Sequence, residues 1–329
     1  MVLFIKSFYC IHYKKLVLLL PFTIMKFTEQ KGKFVKHCPC TPEAVSCGYY
    51  NLNLHTGCPY SCSYCILQAY LETKEPVFFT NLEDMEKELR EVSPSLKYLR
   101  IGTGELTDSL ALDPQTNYSQ KILKIFEQYP DVIFEFKTKS TNVENVSKIE
   151  KIPQNIVISW SLNPQEIVSR EEISAPGLLS RLKAMQQVQE KGYKIGIHFD
   201  PIIYCKNWKT YYEELVREIA KVVDPGRIAW WSLGALRFPY SLREHIFKHK
   251  HSLLFAGELI KGYDDKYRYF KPLRMELFRY VIRQIYSYIS QDVPLYLCME
   301  DEEAWQELLP KIEPTEEAVN RYLYQSAIE

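Results

Sequence analysis

The sequence predicts an α/β protein built as a partial, TIM-like (β/α)6 barrel with a C-terminal α-helical extension. Two observations predict this fold. Short β-rich runs alternate with helical patterns in about six units, which is the repeat of a parallel sheet. Three cysteines directly follow the first β-rich run, and barrels place their chemistry at such strand ends. The length of 329 residues is sufficient for one barrel with an extension.

The alternation runs along the chain from residue 50 to residue 309. The predicted strands are Tyr50–His55, Tyr98–Gly102, Val132–Phe136, Ile156–Ser161, Lys194–Phe199, Arg227–Leu233 and Leu295–Met299. The predicted helices are Cys62–Leu71, Leu82–Val92, Tyr118–Gln128, Leu178–Lys191, Tyr211–Val222, Pro272–Ser290 and Glu302–Leu309.

One helix and the strand after it illustrate the repeat. The apolar residues of this helix recur at steps of three and four and form one stripe: Leu178, Leu182, Met185 and Val188. Gly192 follows at the C-terminal cap position. Apolar residues then alternate through Lys194–Phe199, as in a strand. Helix, glycine and strand in this order predict one unit of a parallel sheet.

The three cysteines carry the clearest chemical signal. Cys58, Cys62 and Cys65 have the spacing C-x3-C-x2-C, and thiolates are the usual protein ligands of iron–sulfur clusters. Three ligands on a four-iron cluster leave one iron open to a substrate or cofactor. Gly57 permits a sharp turn, and Pro59 keeps the start of the loop out of a regular helix. The loop can therefore wrap around a cluster.

The alternative for this loop is a zinc site. Zinc accepts three cysteines and one further ligand, and either His55 or Cys47 would be the fourth. Zinc sites usually pair one short cysteine step with a second pair of ligands well downstream, whereas these three cysteines lie in one loop. Their spacing resembles that of the cluster loop in the radical S-adenosylmethionine (SAM) superfamily.

Polar residues also follow the later predicted strands. The second strand ends in Gly102-Thr103-Gly104-Glu105, where glycines permit close backbone approach to a ligand and Glu105 can bind an ammonium group. Lys139 follows the third strand, and Ser161 ends the fourth. Because the strand ends of a barrel meet on one face, we expect these residues beside the cysteine loop.

Several longer segments match one known family. They are Gly48-Tyr49-Tyr50-Asn51-Leu52-Asn53, Ile66-Leu67-Gln68-Ala69-Tyr70-Leu71 and Phe199-Asp200-Pro201-Ile202-Ile203-Tyr204. With the cysteine loop, they resemble the spore photoproduct lyase family from about Lys31 to about Gln284. The founding member of that family repairs the spore thymine photoproduct in DNA by a radical route.

The resemblance implies a function and a set of site residues. It implies an enzyme that reductively cleaves SAM at a [4Fe–4S] cluster to generate a 5′-deoxyadenosyl radical, acting on a DNA lesion or modified nucleotide. It also implies the cluster ligands Cys58, Cys62 and Cys65 and the SAM contacts Tyr64, Gly102, Thr103, Gly104, Glu105, Lys139 and Ser161. A flavodoxin- or ferredoxin-type protein is the expected electron donor.

Two residues depart from the family pattern. The lyase donates a hydrogen atom from a cysteine at the end of the second strand, where this chain has Gly102. The lyase has a relay tyrosine directly after the third cluster cysteine, where this chain has Ile66. The lyase's way of quenching the radical is therefore not expected, unless another thiol such as Cys205 reaches the same point.

A basic and aromatic segment is the candidate nucleic-acid contact, and the alternative is a tyrosine-rich loop that packs on the barrel. Residues Lys261 to Lys271 mix cations, which can meet phosphates, with aromatic rings, which can stack on bases. The formal net charge of zero gives no bulk nucleic-acid signature. The alternative function is a non-catalytic iron–sulfur or zinc protein that binds nucleic acid, and the glycine-rich end of the second strand favours the enzyme.

Four segments are predicted along the chain. Residues 1–24 form an upstream extension or misassigned start, 25–47 a lead-in, 48–235 the barrel and 236–329 a C-terminal region that contacts the substrate. The apolar run Leu16–Leu20, interrupted by Pro21, is too short for a membrane span of about 20 residues. Secretion would expose an oxygen-sensitive cluster, so we expect no membrane association and a cytoplasmic location.

Overall fold

The fold was analysed in a computed structural model that describes residues 25–71, 75–249 and 252–329. The predicted upstream extension, residues 1–24, lies outside the described residues. None of the described helices is long and apolar enough to cross a membrane.

The described chain contains sixteen strands and twelve α-helices. The strands are β1 (Lys26–Thr28), β2 (Val35–His37), β3 (Tyr49–Leu52), β4 (His55–Thr56), β5 (Ser61–Cys62), β6 (Val77–Phe79), β7 (Arg100–Thr103), β8 (Ile133–Thr138), β9 (Ile156–Ser161), β10 (Glu172–Ile173), β11 (Lys194–Ile202), β12 (Ile228–Ala235), β13 (Arg237–Pro239), β14 (Ile260–Lys261), β15 (Lys266–Arg268) and β16 (Leu295–Leu297). The helices are α1 (Leu67–Tyr70), α2 (Leu82–Val92), α3 (Asp113–Thr116), α4 (Tyr118–Phe126), α5 (Glu144–Ser147), α6 (Gln165–Glu171), α7 (Leu178–Lys191), α8 (Trp208–Ala220), α9 (Tyr240–His249), α10 (Lys271–Tyr288), α11 (Glu302–Leu308) and α12 (Glu316–Ile328).

The core is one curled half-barrel sheet, and it confirms the predicted fold class. Strands β3, β7, β8, β9, β11, β12 and β16 lie side by side in chain order, and each runs parallel to its neighbour. Strand β2 adds an antiparallel edge beside β3. Because these strands are parallel, their C-terminal ends lie along one edge of the sheet. The site is built there.

All seven predicted strands are present within three residues of their predicted ends. Helices α2 and α7 have the predicted bounds, and the stripe of α7 is buried. Gly192 ends α7 with a φ of +110°, the left-handed conformation that its position predicts. The sheet also takes edge strands from outside residues 48–235, because β2 lies in the lead-in and β16 in the C-terminal region.

The predicted helix Cys62–Leu71 is wrong over its first half. Residues Ser61–Cys62 form the short strand β5, which pairs with β10, and helix α1 begins only at Leu67. The polar side chains after Cys62 bond to distant residues, and the strand pairing holds the backbone extended. A local apolar pattern contains no information about either constraint.

Candidate active site

The cysteine loop follows the short strand β4, which comes after β3, and it packs against the loop that follows β7. Gly57 has a φ of +83°, a conformation that favours glycine. Its N–H donates to the carbonyl of Leu106 at 3.0 Å. The hydroxyl of Thr107 donates to the carbonyl of Gly57 at 2.7 Å. These bonds hold the first two strand ends together, as the barrel prediction requires.

The three thiols of the loop lie close enough to influence one another. Burial raises the pKa of Cys58 and raises that of Cys62 to about 12, and the neighbouring thiol of Cys65 adds to both shifts. Thiols bind iron as thiolates, so bound iron would stabilise the charged form that burial disfavours. Three neighbouring thiols in one loop fit a cluster with three cysteine ligands.

A zinc site fits the same residues less well. In residues 25–71, 75–249 and 252–329, no three His, Cys, Asp or Glu side chains, the three loop cysteines included, are close enough to hold a single metal ion. The ring of His55 stacks on Phe78 with centroids 4.6 Å apart, and burial lowers the His55 pKa to about 4. Burial raises the pKa of Cys47, and the guanidinium of Arg100 donates a hydrogen bond to its backbone carbonyl. The candidate fourth ligands thus have other environments.

Two adjacent buried glutamates hold the middle of the cysteine loop. The hydroxyl of Ser63 donates to the carboxylate of Glu171, which also accepts a 2.7 Å hydrogen bond from Ser252. The hydroxyl of Tyr64 donates to the carboxylate of Glu172. We call Glu171 and Glu172 the glutamate clamp. The clamp fixes the two residues that follow Cys62.

The backbone reinforces the clamp. Cys62 and Glu172 are paired across the antiparallel strands β5 and β10. The N–H of Ser63 donates to the carbonyl of Glu171 at 2.7 Å. The conformation of the cysteine loop therefore depends on the chain segment between α6 and α7.

The clamp is joined to a buried arginine and lysine. Arg181 Nη2 lies 2.5 Å from the carboxylate of Glu172, and both side chains are 0% exposed. Arg181 Nη1 donates to the carbonyl of Ser161 at 3.0 Å. The ammonium group of Lys139 lies 5.7 Å from the ring centroid of Tyr64. The structure thus brings the predicted residues Tyr64, Lys139 and Ser161 together around Glu172.

Lys139 remains a cation in this buried position. Burial alone would lower its pKa, but the negative charge of Glu172, the largest opposing influence, raises the pKa above its ordinary value. The backbone N–H of Lys139 donates to Asp108 at 2.6 Å, and the Thr138 hydroxyl donates to the same carboxylate at 2.5 Å. A fixed positive charge therefore lies beside the cysteine loop.

The end of the second barrel strand forms part of a cavity of about 550 Å³ inside the half-barrel. Thr103, Gly104 and Glu105 line it, whereas Gly102 is buried within the sheet. The exposed carboxyl of Glu105 has a pKa raised by partial burial and opposed by a hydrogen bond to Asn53. Ile66, directly after the third cysteine, lines the same cavity. The cysteine loop and the cavity therefore share a wall.

The cavity floor contains a buried polar network centred on Glu135. Its carboxylate accepts hydrogen bonds from the hydroxyl of Tyr49, from His198 Nε2 at 2.8 Å and from Trp230 Nε1 at 3.2 Å. Burial alone would raise the pKa of Glu135, but His198, the charge of Lys137 and a hydrogen bond from Ser159 lower it to about 2. Glu135 is therefore ionised, and burial holds the pKa of His198 below its usual value.

Two cavity side chains have a buried polar atom without a partner. Asn51 Nδ2 and His198 Nδ1 make no hydrogen bond in the described part of the chain, although both residues line the cavity. Asn51 is 6% exposed and His198 is 3% exposed. Unpaired buried polar groups are costly, so a ligand with matching groups would gain from pairing both.

Thiols also line this cavity. They are Cys38, Cys40, Cys47 and Cys298. Cys205, which the sequence suggested as a substitute hydrogen donor, lines a separate cavity with Tyr204 and Tyr269. The idea that Cys205 takes the place of a thiol at Gly102 is therefore wrong.

The basic and aromatic segment covers part of the cavity mouth. Strand β15 pairs with β13 and β14, and Lys266 of β15 and Arg237 of β13 line the cavity. Asp264 forms ion pairs with Arg237 at 3.3 Å and with Arg268. Tyr263 is 96% exposed at the tip. Part of the positive charge of the segment is neutralised internally, and the rest faces the cavity.

Sequence reasoning missed the clamp, Arg181 and the Glu135 network. Glu171 and Glu172 lie in a polar run without a motif, and their partners Ser63 and Tyr64 are each 108 residues away in the chain. Glu135 lies in the otherwise apolar start of β8. A carboxylate at such a position needs hydrogen-bond donors, and this was the only feature of the sequence that indicated the network.

A family model supports the resemblance. The model described as spore photoproduct lyase matches residues 38–241. Among curated proteins, the chain is 23% identical over 265 residues to the spore photoproduct lyase of Clostridium acetobutylicum, with 78% of this chain and 75% of the relative covered. It is 26% identical over 180 residues to that of a Geobacillus species, with 53% of this chain and 52% of the relative covered.

Solved structures share the fold. A mutant spore photoproduct lyase with dinucleoside spore photoproduct matches with a TM-score of 0.73 and 21% identity, covering 83% of this chain and 82% of that chain. A second mutant with bound AdoMet and the same dinucleoside matches with a TM-score of 0.73 and 22% identity, with the same coverage of both chains. The half-barrel described above is the fold of these proteins.

Proposed function

Since the chain belongs to the spore photoproduct lyase family, we propose that it is a radical SAM enzyme of the lyase type that acts on a pyrimidine lesion in DNA. The observation that carries this proposal is that the cysteine loop continues directly into the lining of a cavity. Ile66, directly after the third cysteine of the loop, lines a mostly apolar cavity of about 550 Å³, and a substrate-sized space beside the cluster ligands is what an enzyme needs.

The cysteine loop supplies the cofactor ligands in this proposal. Cys58, Cys62 and Cys65 hold a [4Fe–4S] cluster. When bound, the cluster and SAM together supply a 5′-deoxyadenosyl radical. The glutamate clamp fixes the backbone between the ligands, so the chain itself sets the position of the open iron.

SAM lies between the cysteine loop and the second strand end in this proposal. Tyr64 packs near the adenine, and its hydroxyl is held by Glu172. Lys139 offers a buried positive charge, and Ser161 lies next to it on the neighbouring strand. The stretch from Gly102 to Glu105 approaches the amino group of SAM, with the Glu105 carboxylate as its partner. Both charged ends of the methionine part thus meet groups of opposite sign.

The cavity suits a pyrimidine base. Asn51 Nδ2 is a donor, and His198 Nδ1 is an acceptor when His198 Nε2 donates to Glu135. The imide edge of thymine offers a carbonyl acceptor and an N–H donor, which complement these two atoms. Lys137, Lys266 and Arg237 provide positive charge for a backbone phosphate at the mouth. Two related structures contain dinucleoside spore photoproduct, which is a substrate of this class.

The alternative, a non-catalytic nucleic-acid-binding metalloprotein, has no comparable support. It gives no reason for a cavity beside the cysteine loop or for its unpaired polar atoms. The electron donor, a flavodoxin- or ferredoxin-type protein in our proposal, would meet the cluster from outside the cavity.

The SAM assignment predicts a selective effect of Glu105→Ala. The change should weaken SAM binding about twofold to fivefold, which corresponds to the loss of about 0.4–1 kcal/mol from a solvent-exposed ion pair. The visible absorption of the reconstituted cluster should not change, because the three cluster ligands are cysteines and Glu105 is not one of them. Binding is measured by equilibrium dialysis of labelled SAM against the anaerobic protein.

Glu127→Ala is the matched control, because this carboxylate is exposed and does not line the cavity. It should bind SAM like the wild type. Equal SAM affinity in Glu105→Ala and Glu127→Ala would remove Glu105 from the SAM site.

A further inference from the structure

The space beside Gly102 is occupied by a tyrosine from another strand. A Cβ atom on residue 102 would lie 2.0 Å from the hydroxyl oxygen of Tyr49 and 2.6 Å from the carbonyl oxygen of Glu135. A side chain at 102 therefore cannot be accommodated without displacing both neighbours. The hydroxyl of Tyr49 lies where the side chain of residue 102 would project.

Tyr49 is accessible from the cavity and keeps its phenolic hydrogen. It begins strand β3, is only partly buried and lines the cavity. Its hydroxyl donates to Glu135. Burial and the negative charge of Glu135 raise the pKa of Tyr49 well above its usual value. The phenol therefore has a hydrogen atom to give at neutral pH.

The surroundings of Tyr49 tolerate the loss of that hydrogen. Glu135 retains two other donors, His198 Nε2 at 2.8 Å and Trp230 Nε1 at 3.2 Å, so its carboxylate stays satisfied. The guanidinium of Arg100 lies 5.6 Å from the ring centroid of Tyr49. Transfer of a whole hydrogen atom creates no new charge in this buried layer, whereas loss of an electron alone would.

We propose that Tyr49 donates the hydrogen atom that quenches the substrate-derived radical, in place of a thiol on the second strand. The inference rests on the proposed function, which supplies that radical. The O–H bond of Tyr49 breaks and a C–H bond forms on the substrate carbon. The unpaired electron remains on Tyr49 as a neutral phenoxyl radical, so atoms and electrons balance within the two partners.

The geometry favours Tyr49 over the thiols of the same cavity. Four thiols line the cavity: Cys38, Cys40, Cys47 and Cys298. None of their atoms is among the three heavy atoms nearest to a Cβ placed on residue 102. The atom nearest to such a Cβ is the hydroxyl oxygen of Tyr49.

The test is a single turnover with Tyr49→Phe. The full-length, iron-reconstituted protein is mixed with SAM, dithionite and dinucleoside spore photoproduct, and 5′-deoxyadenosine and the repaired dinucleoside are quantified. The wild type should show a tyrosyl radical by electron paramagnetic resonance, and ring-deuterated tyrosine should narrow its signal. Tyr49→Phe should form as much 5′-deoxyadenosine in the first turnover, lose the tyrosyl signal and yield at least tenfold less repaired dinucleoside.

Tyr50→Phe is the matched control, because the neighbouring Tyr50 does not line the cavity, and it should behave like the wild type. Thermal melting of the iron-free variants checks that each is folded. Repair at wild-type yield by Tyr49→Phe, or loss of repair confined to Cys298→Ala, would overturn the inference. Absence of 5′-deoxyadenosine from the iron-loaded wild type would instead overturn the proposed function, and the role of Tyr49 with it.

Discussion

Replacement of Cys62 by alanine is expected to abolish iron binding and SAM cleavage together. Cys62 is the middle cysteine of the loop, is 6% exposed and is paired with Glu172 across β5 and β10. With two of three thiolates left, the cluster loses an iron ligand that no neighbouring group replaces. Iron and sulfide content and the yield of 5′-deoxyadenosine are measured on the anaerobically reconstituted protein.

Cys205→Ala is the control for this prediction. Cys205 is a free thiol that lines a separate cavity, so its removal should leave iron content and SAM cleavage at wild-type values. Full iron content and SAM cleavage in Cys62→Ala would contradict the ligand assignment.

Glu172→Gln is expected to have the largest effect on stability. Glu172 and Arg181 form an ion pair with both side chains 0% exposed. Removing one charge leaves the other buried and unpaired, which costs about 3–5 kcal/mol. Because Glu172 also holds the hydroxyl of Tyr64, the variant should reconstitute less iron than the wild type. Urea unfolding of the iron-free protein measures the free energy, and iron analysis measures the second effect.

Two further variants separate the causes. Glu166→Gln changes an exposed glutamate on α6 and should alter the free energy of unfolding by no more than about 0.5 kcal/mol. The double variant Glu172→Gln with Arg181→Met removes both buried charges, so it should recover part of the lost stability. If Glu172→Gln unfolds at the same urea midpoint as the wild type, the Glu172–Arg181 ion pair does not stabilise the cysteine loop.

Local patterns were sufficient to predict the framework of the molecule. The alternation of strands and helices predicted the parallel half-barrel, and the stripe of α7 with Gly192 predicted that helix and its end. Because barrel chemistry lies at strand ends, the sequence also predicted that the cysteine loop lies near Glu105 and Lys139. These features depend on periodicity and chain order, which a single sequence contains.

Contacts between distant segments could not be predicted. The clamp joins residues 108 positions apart, and no pattern around Glu171 or Glu172 indicates a partner. Glycine at position 102, where the lyase has a cysteine, suggested that the hydrogen-atom donor is missing. The sequence does not show which side chain fills the space beside this glycine. Tyr49, 53 positions earlier in the chain, fills it from the neighbouring strand.

In the proposed function, this chain makes a radical and uses it on a pyrimidine lesion. The most direct test is turnover of the iron-reconstituted wild type with SAM and dithionite, comparing dinucleoside spore photoproduct with undamaged thymidine dinucleoside. The account predicts 5′-deoxyadenosine and conversion of the photoproduct to the thymine dinucleoside, with the undamaged compound unchanged. Iron-loaded protein that cleaves SAM but leaves the photoproduct intact, or that cleaves no SAM, would contradict it.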